Sequence, residues 1–379
     1  MAARERAAVS TSVLLDAYIL PDDHRIFKFF PGKAYKFYEQ VRTHEVAFID
    51  VRGLSDLKGK PSDWSDEDLL TAIAMDRVNR MVAGGAQRPS RLVRSIRDKA
   101  NRTFLKGLLF EAEKGDFVVM PTKDMSDEIQ VGELLDEPGD LRKIEAVDDG
   151  VRRTYFGRRV KWLNPIPKRL VSIELVRLLQ TPATFFQLKS SFKDAIYKFA
   201  LDNYVLDGHF VSTFRTKKSI FTSKDNLLTS LWFELIEVVE EAREEGNALA
   251  LKSIYQLAVD SDIDEDERND LSIYVQSPGW FKLRSVLASP FVAMALFALA
   301  SSGISFDDAQ AATVTAHVVQ AADSTCLGEV DQAVREYLQI LGKERWEEAC
   351  GLATKAASVA TLKTKATLKI KKKSGKNKT

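Results

Sequence analysis

Few residues in this sequence have the types and spacing that catalysis requires. Asp22, followed by Asp56 and Lys58, matches the spaced carboxylates and lysine of a metal-dependent nuclease, but no third carboxylate is obviously placed. The four histidines stand apart from each other and from both cysteines, so no zinc-ligand spacing is present. Phosphate-binding glycine loops and nucleophile elbows are also absent. The sequence therefore predicts no catalytic residue, no metal site and no cofactor, and enzymatic activity is not expected.

A basic strand within residues 150–173 carries the most informative pattern. This range contains seven basic residues and no acid. Period-2 alternation places Arg159 and Lys161 on one face, so Val160 and Trp162 fall on the other. One face can then meet phosphate groups while the other packs inward, with Trp162 either in the core or stacked on a base. Guanidinium groups contact nucleic-acid backbones and aromatic rings stack on bases, so the strand predicts nucleic-acid binding.

A predicted helix after Pro89 offers further cations. Residues 84–110 contain seven basic residues and one acid. The expected phosphate contacts on this segment are Arg91, Arg94, Lys99 and Arg102, with Arg97 and Lys106 beside them. The apolar residues of the helix are expected to form one stripe, made of Val93, Ile96, Ala100, Phe104 and Leu108. The alternative, a charged helix face that is simply solvated, stays open.

Length and local pattern divide the chain into two halves. With 379 residues, 45% of them hydrophobic, the chain is long enough for two domains. The first half has α+β character, with a capping box at Ser65 that starts a helix to about Val82 and strands at 46–49, 117–120, 128–134 and 155–163. The second half is predicted to be helical, with helices at 192–206, 224–245, 248–259, 307–322, 328–341 and 343–359. The lysine-rich residues 361–379 are expected to be disordered.

Short motifs follow one another in a fixed order through the first half. After a helix and strand at 37–51 come RGLSDL at 52–57, KGDFVVMP at 114–121, IQVGE at 129–133, RVKWL at 159–163 and IPK at 166–168. This ordered series resembles the EVE-like branch of the PUA superfamily, which occurs at the N-termini of modification-dependent restriction proteins and related prokaryotic defence proteins. The resemblance covers about residues 25–190, and it depends on the order of the motifs.

The resemblance implies a small, strongly bent β-barrel with flanking helices, whose pocket accepts a flipped, often modified base. By position, the turn at 53–57 and Gly115 lie near that pocket, and the strand around Arg159 lies beside the nucleic-acid path. Family members often carry Gly-Trp before the turn, where this sequence has Val51-Arg52. Either Trp64 replaces that aromatic side chain or the pocket is altered. The base-binding candidates are Arg52, Ser55, Asp56, Trp64, Tyr155, Arg158, Arg159, Lys161 and Trp162.

The predicted fold is α+β, with an N-terminal PUA/EVE-like barrel followed by an α-helical domain. Its expected divisions are an N-terminal segment at 1–24, the EVE-like domain at 25–190, the helical domain at 191–360 and the tail at 361–379. The expected function is anti-phage defence: the first domain senses nucleic acid, with DNA as the expected form, and the helical domain signals, acts, oligomerises or binds a protein partner.

Two alternatives from other functional classes remain. The chain could be a non-catalytic interaction protein that uses the barrel as a scaffold, because fold does not fix function. It could also be a membrane-acting effector through the uncharged segment 285–306, which reaches spanning length, although a buried core helix is the favoured interpretation. A net charge of +1 gives no global field toward nucleic acid or membrane.

Two features favour a cytoplasmic location. Cys326 and Cys350 are too few for a disulfide framework, so both are expected to be reduced thiols. Asp16 interrupts the apolar run near the N-terminus, so no export signal is expected.

Overall fold

The computed structural model of the protein divides into two compact units. One consists of Asp23–Leu201, and the other of Met1–Asp22 together with Asp202–Thr379. The residues that the structure describes are 9–122, 128–246, 270–274, 279–318 and 325–372. The predicted EVE-like domain at 25–190 lies within the first unit. The segments predicted as N-terminal extension, helical domain and tail belong mostly to the second.

The described residues include sixteen strands and nine α-helices. The strands are β1 (Val9–Ile19), β2 (Ile26–Phe29), β3 (Val46–Phe48), β4 (Phe117–Pro121), β5 (Glu128–Leu134), β6 (Arg142–Asp148), β7 (Val151–Trp162), β8 (Ile166–Pro167), β9 (Phe185–Gln187), β10 (Tyr204–Leu206), β11 (His209–Thr216), β12 (Asp270–Tyr274), β13 (Gly279–Ser285), β14 (Thr313–Val318), β15 (Leu362–Lys363) and β16 (Ala366–Lys372). The helices are α1 (Tyr38–His44), α2 (Asp66–Ala83), α3 (Ile96–Lys106), α4 (Ile173–Leu179), α5 (Lys193–Ala200), α6 (Ser223–Glu244), α7 (Ser289–Ser301), α8 (Phe306–Gln310) and α9 (Thr325–Val359). A π-helical turn at Gly107–Glu111 continues α3.

An open eight-stranded sheet forms the Asp23–Leu201 unit. Its order is β3-β7-β5-β4-β2-β9, with β6 paired to β7 and β8 to β5. The short end strands β3 and β9 do not pair with each other, so no closed barrel forms in the described part of the chain. The predicted N-terminal barrel is therefore wrong, although the α+β class is confirmed. The sheet branches at β7, because this twelve-residue strand pairs with β3, β5 and β6 at different points along its length.

A second eight-stranded sheet lies in the other unit. Its order is β12-β13-β11-β10-β1-β14, with β15 on β11 and β16 on β1. The strand β1 runs parallel to β10 and β14 and antiparallel to β16. The predicted α-helical second domain is therefore wrong, and the helix expected at 307–322 is the short α8 followed by β14. Threonine, valine and phenylalanine in β11 and β14 are strand-forming residues, which outweigh the helical pattern around them. The helix predicted at 248–259 lies outside the described residues.

The uncharged segment 285–306 contains α7, a helix of the hydrophobic core. Every side chain from Ser289 to Ala300 is buried, and α7 packs among residues of α6, α9 and the sheet. Its thirteen residues span about 20 Å, less than the roughly 30 Å of a bilayer's hydrocarbon region. Among the helices that the structure describes, none is long and apolar enough to cross a membrane. Exposure of α7 to lipid would require it to leave the core.

The lysine-rich C-terminal segment forms strands up to Lys372. The strand β16 pairs with β1 over seven residues, Leu362 is buried, and Leu368 packs against the core. Lys365 Nζ lies 2.7 Å from Oδ2 of the buried Asp202. The expectation of disorder is therefore wrong as far as Lys372, because alternate side chains of this segment have apolar surface to pack. Residues 373–379 lie outside the described part.

Helix α2 is confirmed, whereas α3 differs from the prediction. The capping box of α2 is present, with Asp68 accepting from the Ser65 backbone N at 2.9 Å. Helix α3 begins at Ile96, but the predicted apolar stripe is not buried at this end. Val93 is 67% exposed and Ile96 is 88% exposed. The residue buried in this first turn is Asp98, because it is held by hydrogen bonds.

Truncation at the C-terminus tests whether β15 and β16 contribute to the stability of the fold. Deletion of residues 361–379 removes β15 and β16 and leaves residues 9–15 of β1 without their antiparallel neighbour. We expect this variant to melt several degrees below the full chain in calorimetry and to aggregate on heating, because an uncovered strand edge pairs with other chains. Deletion of residues 373–379 is the matched control and should leave the melting temperature unchanged. Identical melting of the two variants would contradict the role of β16.

Candidate nucleic-acid interface

Strand β7 presents its side chains in the alternation that the sequence predicts. Arg159 and Lys161 are exposed, whereas Val160 is buried and Trp162 is partly buried. The two cations lie two residues apart on one face, or about 7 Å along the strand. Gly132 on the paired strand β5 makes room for the indole ring, because a Cβ there would lie 2.9 Å from Trp162 Cε3. Trp162 thus packs over the backbone of β5.

The preceding residue, Arg158, points into the core. Its side chain is fully buried, and its guanidinium donates to the backbone carbonyls of Leu108, Ala112 and Asp136. Burial lowers the pKa of Arg158 to about 10, partly opposed by the charge of Asp136, so the group stays protonated at neutral pH. Arg158 therefore ties β7 to the π-helical turn. It is removed from the predicted base-binding set, because nucleic acid cannot reach it.

Asp136 fixes the direction of Arg159. The Asp136 carboxylate is buried and accepts from the backbone N and Nε of Arg159, both at 2.7 Å, while Arg159 Nη2 lies at 2.6 Å. Burial raises the pKa of the Asp136 carboxyl, but the hydrogen bonds and charge of Arg159 outweigh it and place that pKa below its usual range. The Arg159 side chain is still 48% exposed. Arg159 is thus an oriented cation at the surface.

Tyr155 lies in the core of the unit. Its ring contacts Phe37 and Phe48, at centroid distances of 5.2 and 5.0 Å. Its hydroxyl donates to Asp148 Oδ2 at 2.9 Å. Because the whole side chain is buried, Tyr155 is also removed from the predicted base-binding set.

Asp148 is the centre of a buried ionic network. Besides Tyr155, its carboxylate accepts from Lys36 Nζ at 2.9 Å and from Arg52 Nε at 2.6 Å. Burial raises the pKa of Asp148, but the hydrogen bonds from Lys36 and Tyr155 and the charges of Lys36 and Arg52 outweigh it, so the pKa falls to about 2. Lys36 also pairs with Asp50 at 2.6 Å. The predicted base-binding residue Arg52 is therefore occupied within the protein.

The Arg52–Asp56 turn carries the next two candidates. Gly53 packs against α2, where a Cβ would lie 2.5 Å from the Ala72 carbonyl oxygen. Ser55 Oγ donates to the Arg52 carbonyl at 3.0 Å, and Ser55 and Asp56 are exposed. The turn thus presents two polar side chains to solvent from a backbone fixed on α2.

The two tryptophan candidates lie on the other face of β7 from Arg159 and Lys161. Trp64 packs edge-on against Phe156 at a centroid distance of 5.2 Å, and Phe156 and Trp162 share the even-numbered face of the strand. The indole Nε1 atoms of Trp64 and Trp162 are buried and have no hydrogen-bond partner among the described residues. The structure therefore separates the aromatic and the basic candidates onto two faces of one strand.

The cations around α3 fall into two groups. Arg94 and Arg102 form ion pairs with acids in the first turn of α2. Arg91, Arg97 and Lys99 are exposed and form no ion pair with the described residues. The π-helical turn that continues α3 contacts the face of β7 to which Arg158 points. The cations of α3 therefore do not simply extend the Arg159 and Lys161 surface.

The two carboxylates that matched a nuclease, Asp22 and Asp56, belong to different units. Within the described ranges, no group of three or more histidine, cysteine, aspartate or glutamate side chains could hold a metal ion.

Sequence reasoning missed the acids that organise this surface. Asp136 and Asp148 lie in the acidic range 124–149, which the sequence presents only as a block of charge. A local signal was present, because Asp149-Gly150 is a typical two-residue hairpin turn, and both residues have positive φ. That turn pairs β6 with β7 and brings the end of β6 toward Tyr155.

Comparison with known proteins adds no family to this picture. No family model matches the chain, and no curated protein or solved structure gives a significant match. The functional argument therefore depends on the residues described above.

The role of Arg158 can be tested by removing its donors. Arg158→Met leaves three buried carbonyls without a partner, so we expect the free energy of unfolding to fall by roughly 3 kcal/mol or more. Arg152→Met is the matched control, because Arg152 is exposed on the same face of β7 and should change stability by about 0.5 kcal/mol or less. Urea unfolding measures both. Equal stability of the two variants would contradict a structural role for Arg158.

The Asp148 network predicts a pH dependence of stability. The folded pKa of about 2 lies below the unfolded value of about 3.9, so the stabilisation is present above about pH 4 and is lost as pH falls through 2. Asp148→Asn should therefore cost about 2 kcal/mol at pH 7 and about half of that at pH 3 in urea unfolding. Asp149→Asn, at an 81% exposed side chain, is the control and should be near neutral. If the loss in free energy of unfolding caused by Asp148→Asn is the same at pH 7 and pH 3, the ionic network is not the source of that loss.

Proposed function

We propose that the Asp23–Leu201 unit binds and senses nucleic acid, with DNA as the expected form, in a cytoplasmic protein of prokaryotic anti-phage defence. The observation that carries the proposal is the exposed pair Arg159 and Lys161 on β7, with Arg159 oriented by the buried Asp136. A guanidinium that is already held in one direction loses less conformational entropy on binding a phosphate than a mobile one does. The other unit then transmits or executes the response.

The resemblance to EVE-like domains supports the same proposal. Its motifs fall on successive elements of one unit: the Arg52–Asp56 turn, β4, β5 and β7. Domains of this kind accept a flipped base, and flipping rotates a nucleotide out of its stack. Base-binding and phosphate-binding groups therefore need not share one face of β7. Trp64 and Trp162 are the aromatic candidates for the base, and Ser55 and Asp56 are the polar ones.

A scaffold or protein-interaction role without nucleic acid is the competing proposal. It is favoured by the burial of Tyr155 and Arg158 and by the ionic engagement of Arg52, which remove three predicted contacts from the surface. The two proposals differ in what they expect of the charged pair on β7. Under the scaffold role, Arg159 and Lys161 only solvate the sheet.

Titration with defined duplexes separates these proposals. The purified protein is titrated against matched unmodified and modified duplexes, including phage-type hypermodified DNA, at two salt concentrations. We expect tighter binding to one modified duplex and an affinity that falls with salt, because released counterions drive phosphate contacts. Salt-insensitive or absent binding to all duplexes would favour the scaffold role.

Substitution of the charged pair on β7 tests the placement of the phosphate path. Arg159→Gln combined with Lys161→Gln should weaken binding and reduce the slope of log affinity against log salt by about one for each lost contact. Lys33→Gln combined with Lys189→Gln removes the same charge from exposed positions elsewhere in the unit and should leave the slope unchanged. Thermal melting of both variants checks that they are folded, since Arg159 is the partner of Asp136. An unchanged slope in the first variant would contradict this path.

A further inference from the structure

The segment that joins α2 to α3 exposes apolar side chains between basic ones. Ile96, the first residue of α3, is 88% exposed, the largest fraction of any large apolar side chain that the structure describes. Val93, three residues earlier, is 67% exposed. Single exposed apolar residues are ordinary on protein surfaces, so exposure alone does not mark a site. Two further features mark these side chains as a candidate contact site: the hydrogen bonds that hold their backbone and the basic residues near them in sequence.

Arg77 holds the exposed segment in place. From α2, its guanidinium donates to the Val93 carbonyl at 2.6 Å and to the carboxylate oxygens of Asp98 at 3.0 and 3.1 Å. Asp98 is buried and also accepts from the Ser95 backbone N at 2.8 Å, which caps α3. The chain is thus anchored on both sides of Ile96. These hydrogen bonds fix the backbone that carries Ile96. The backbone N–H of Asp98, in the first turn of α3, already donates to Ser95 Oγ.

Three basic residues lie close in sequence to this apolar tip, which we define as Val93 and Ile96. Arg91, Arg97 and Lys99 are exposed and form no ion pair with the described residues. The one acid among residues 84–110, Asp98, is buried beneath the tip. The α2–α3 segment therefore combines exposed apolar side chains with positive charge and has no exposed acid of its own. The exposed acids Asp66 and Glu67 of α2 pair with Arg102 and Arg94.

Duplex nucleic acid fits this combination better than a protein or a membrane does. A stable protein interface buries about 800 Å² on each partner, far more than two small apolar side chains supply. Helices that bind lipid surfaces have a broad apolar face with aromatic residues, whereas the other exposed residues of α3 are Arg97, Lys99, Ala100 and Thr103. Proteins that deform DNA insert one or two apolar side chains between base steps while cations hold the flanking phosphates.

We infer that the apolar tip inserts Ile96 between two stacked bases of a DNA duplex, with Arg91, Arg97 and Lys99 on the neighbouring phosphates. This inference rests on the proposed nucleic-acid function and adds a second contact element to it. Insertion unstacks a base step, and a base with a disrupted stack is easier to move out of the duplex. The α3 segment then deforms the duplex, Arg159 and Lys161 of β7 contact phosphates, and Trp64 and Trp162 remain the aromatic candidates for the displaced base.

Fluorescence of 2-aminopurine tests the insertion, because this base brightens when its stacking is lost. The full-length protein is titrated against duplexes in which 2-aminopurine replaces adenine at successive positions. We expect the wild type to raise the fluorescence several-fold at one or two adjacent positions, and Ile96→Ser to lose at least half of that rise with an unchanged salt slope. Ile173→Ser is the matched control, because Ile173 is also the first residue of a helix, follows a serine N-cap and is 56% exposed.

The outcomes distinguish the insertion from the proposed function. Wild-type protein that binds a duplex without any fluorescence rise, or an Ile96→Ser variant with the full rise, overturns the insertion and leaves nucleic-acid binding intact. Absence of wild-type binding to every duplex removes the proposed function and the insertion together. Binding to phosphatidylglycerol vesicles that Ile96→Ser abolishes, with duplex binding unchanged, assigns the tip to a lipid surface and also overturns the inference. Arg97→Gln with Lys99→Gln should lower the salt slope by about two.

Discussion

The buried guanidinium of Arg158 is the interaction on which the Asp23–Leu201 unit depends. It is a full charge in the core, and the carbonyls of Leu108, Ala112 and Asp136 accept its hydrogen bonds in place of water. A buried charged donor without acceptors is very costly, so the π-helical turn and the loop after β5 cannot move independently of β7. The same loop places the Asp136 carboxylate beside Arg159. One buried arginine thus fixes the position of the acid that orients the next arginine, at the surface.

Two adjacent arginines therefore have different tasks because strand alternation sends them to different environments. Arg158 meets carbonyls in the core, and Arg159 meets a carboxylate at the edge of solvent. The Asp148 network follows the same physical rule, since its buried anion is compensated by Lys36, Arg52 and Tyr155. Several charged residues of the range 124–173, among them Asp136, Asp148 and Arg158, therefore stabilise the interior of the unit. A count of basic residues in the sequence consequently overestimates the cations that face a ligand.

Local patterns were predictable from the sequence, whereas partners distant in the chain were not. The capping box of α2 and the alternation of β7 depend on neighbouring residues, and both are present. The sheet of the other unit depends on pairing β1 with β14, about 300 residues away, and with β16, about 350 to 360 residues away, and no local pattern specifies such a register. Ile96 shows a second limit. Helical spacing placed it on the apolar stripe, but the hydrogen bonds of Asp98 to Arg77 and Ser95 bury that polar residue in the same turn.

Under the proposed function, five cations are assigned to phosphate groups, and their number limits the electrostatic part of the affinity for DNA. The five are Arg159 and Lys161 on β7 and Arg91, Arg97 and Lys99 near α3, and five phosphate contacts correspond to a salt slope of about 4 to 5. Phosphate contacts carry no sequence information, and so few of them give only modest non-specific affinity. A sensor built on this surface must gain the rest of its affinity from a base that leaves the stack. Under the proposed function, a base whose stacking is weakened costs the least to extrude, and the protein need not read the surrounding sequence.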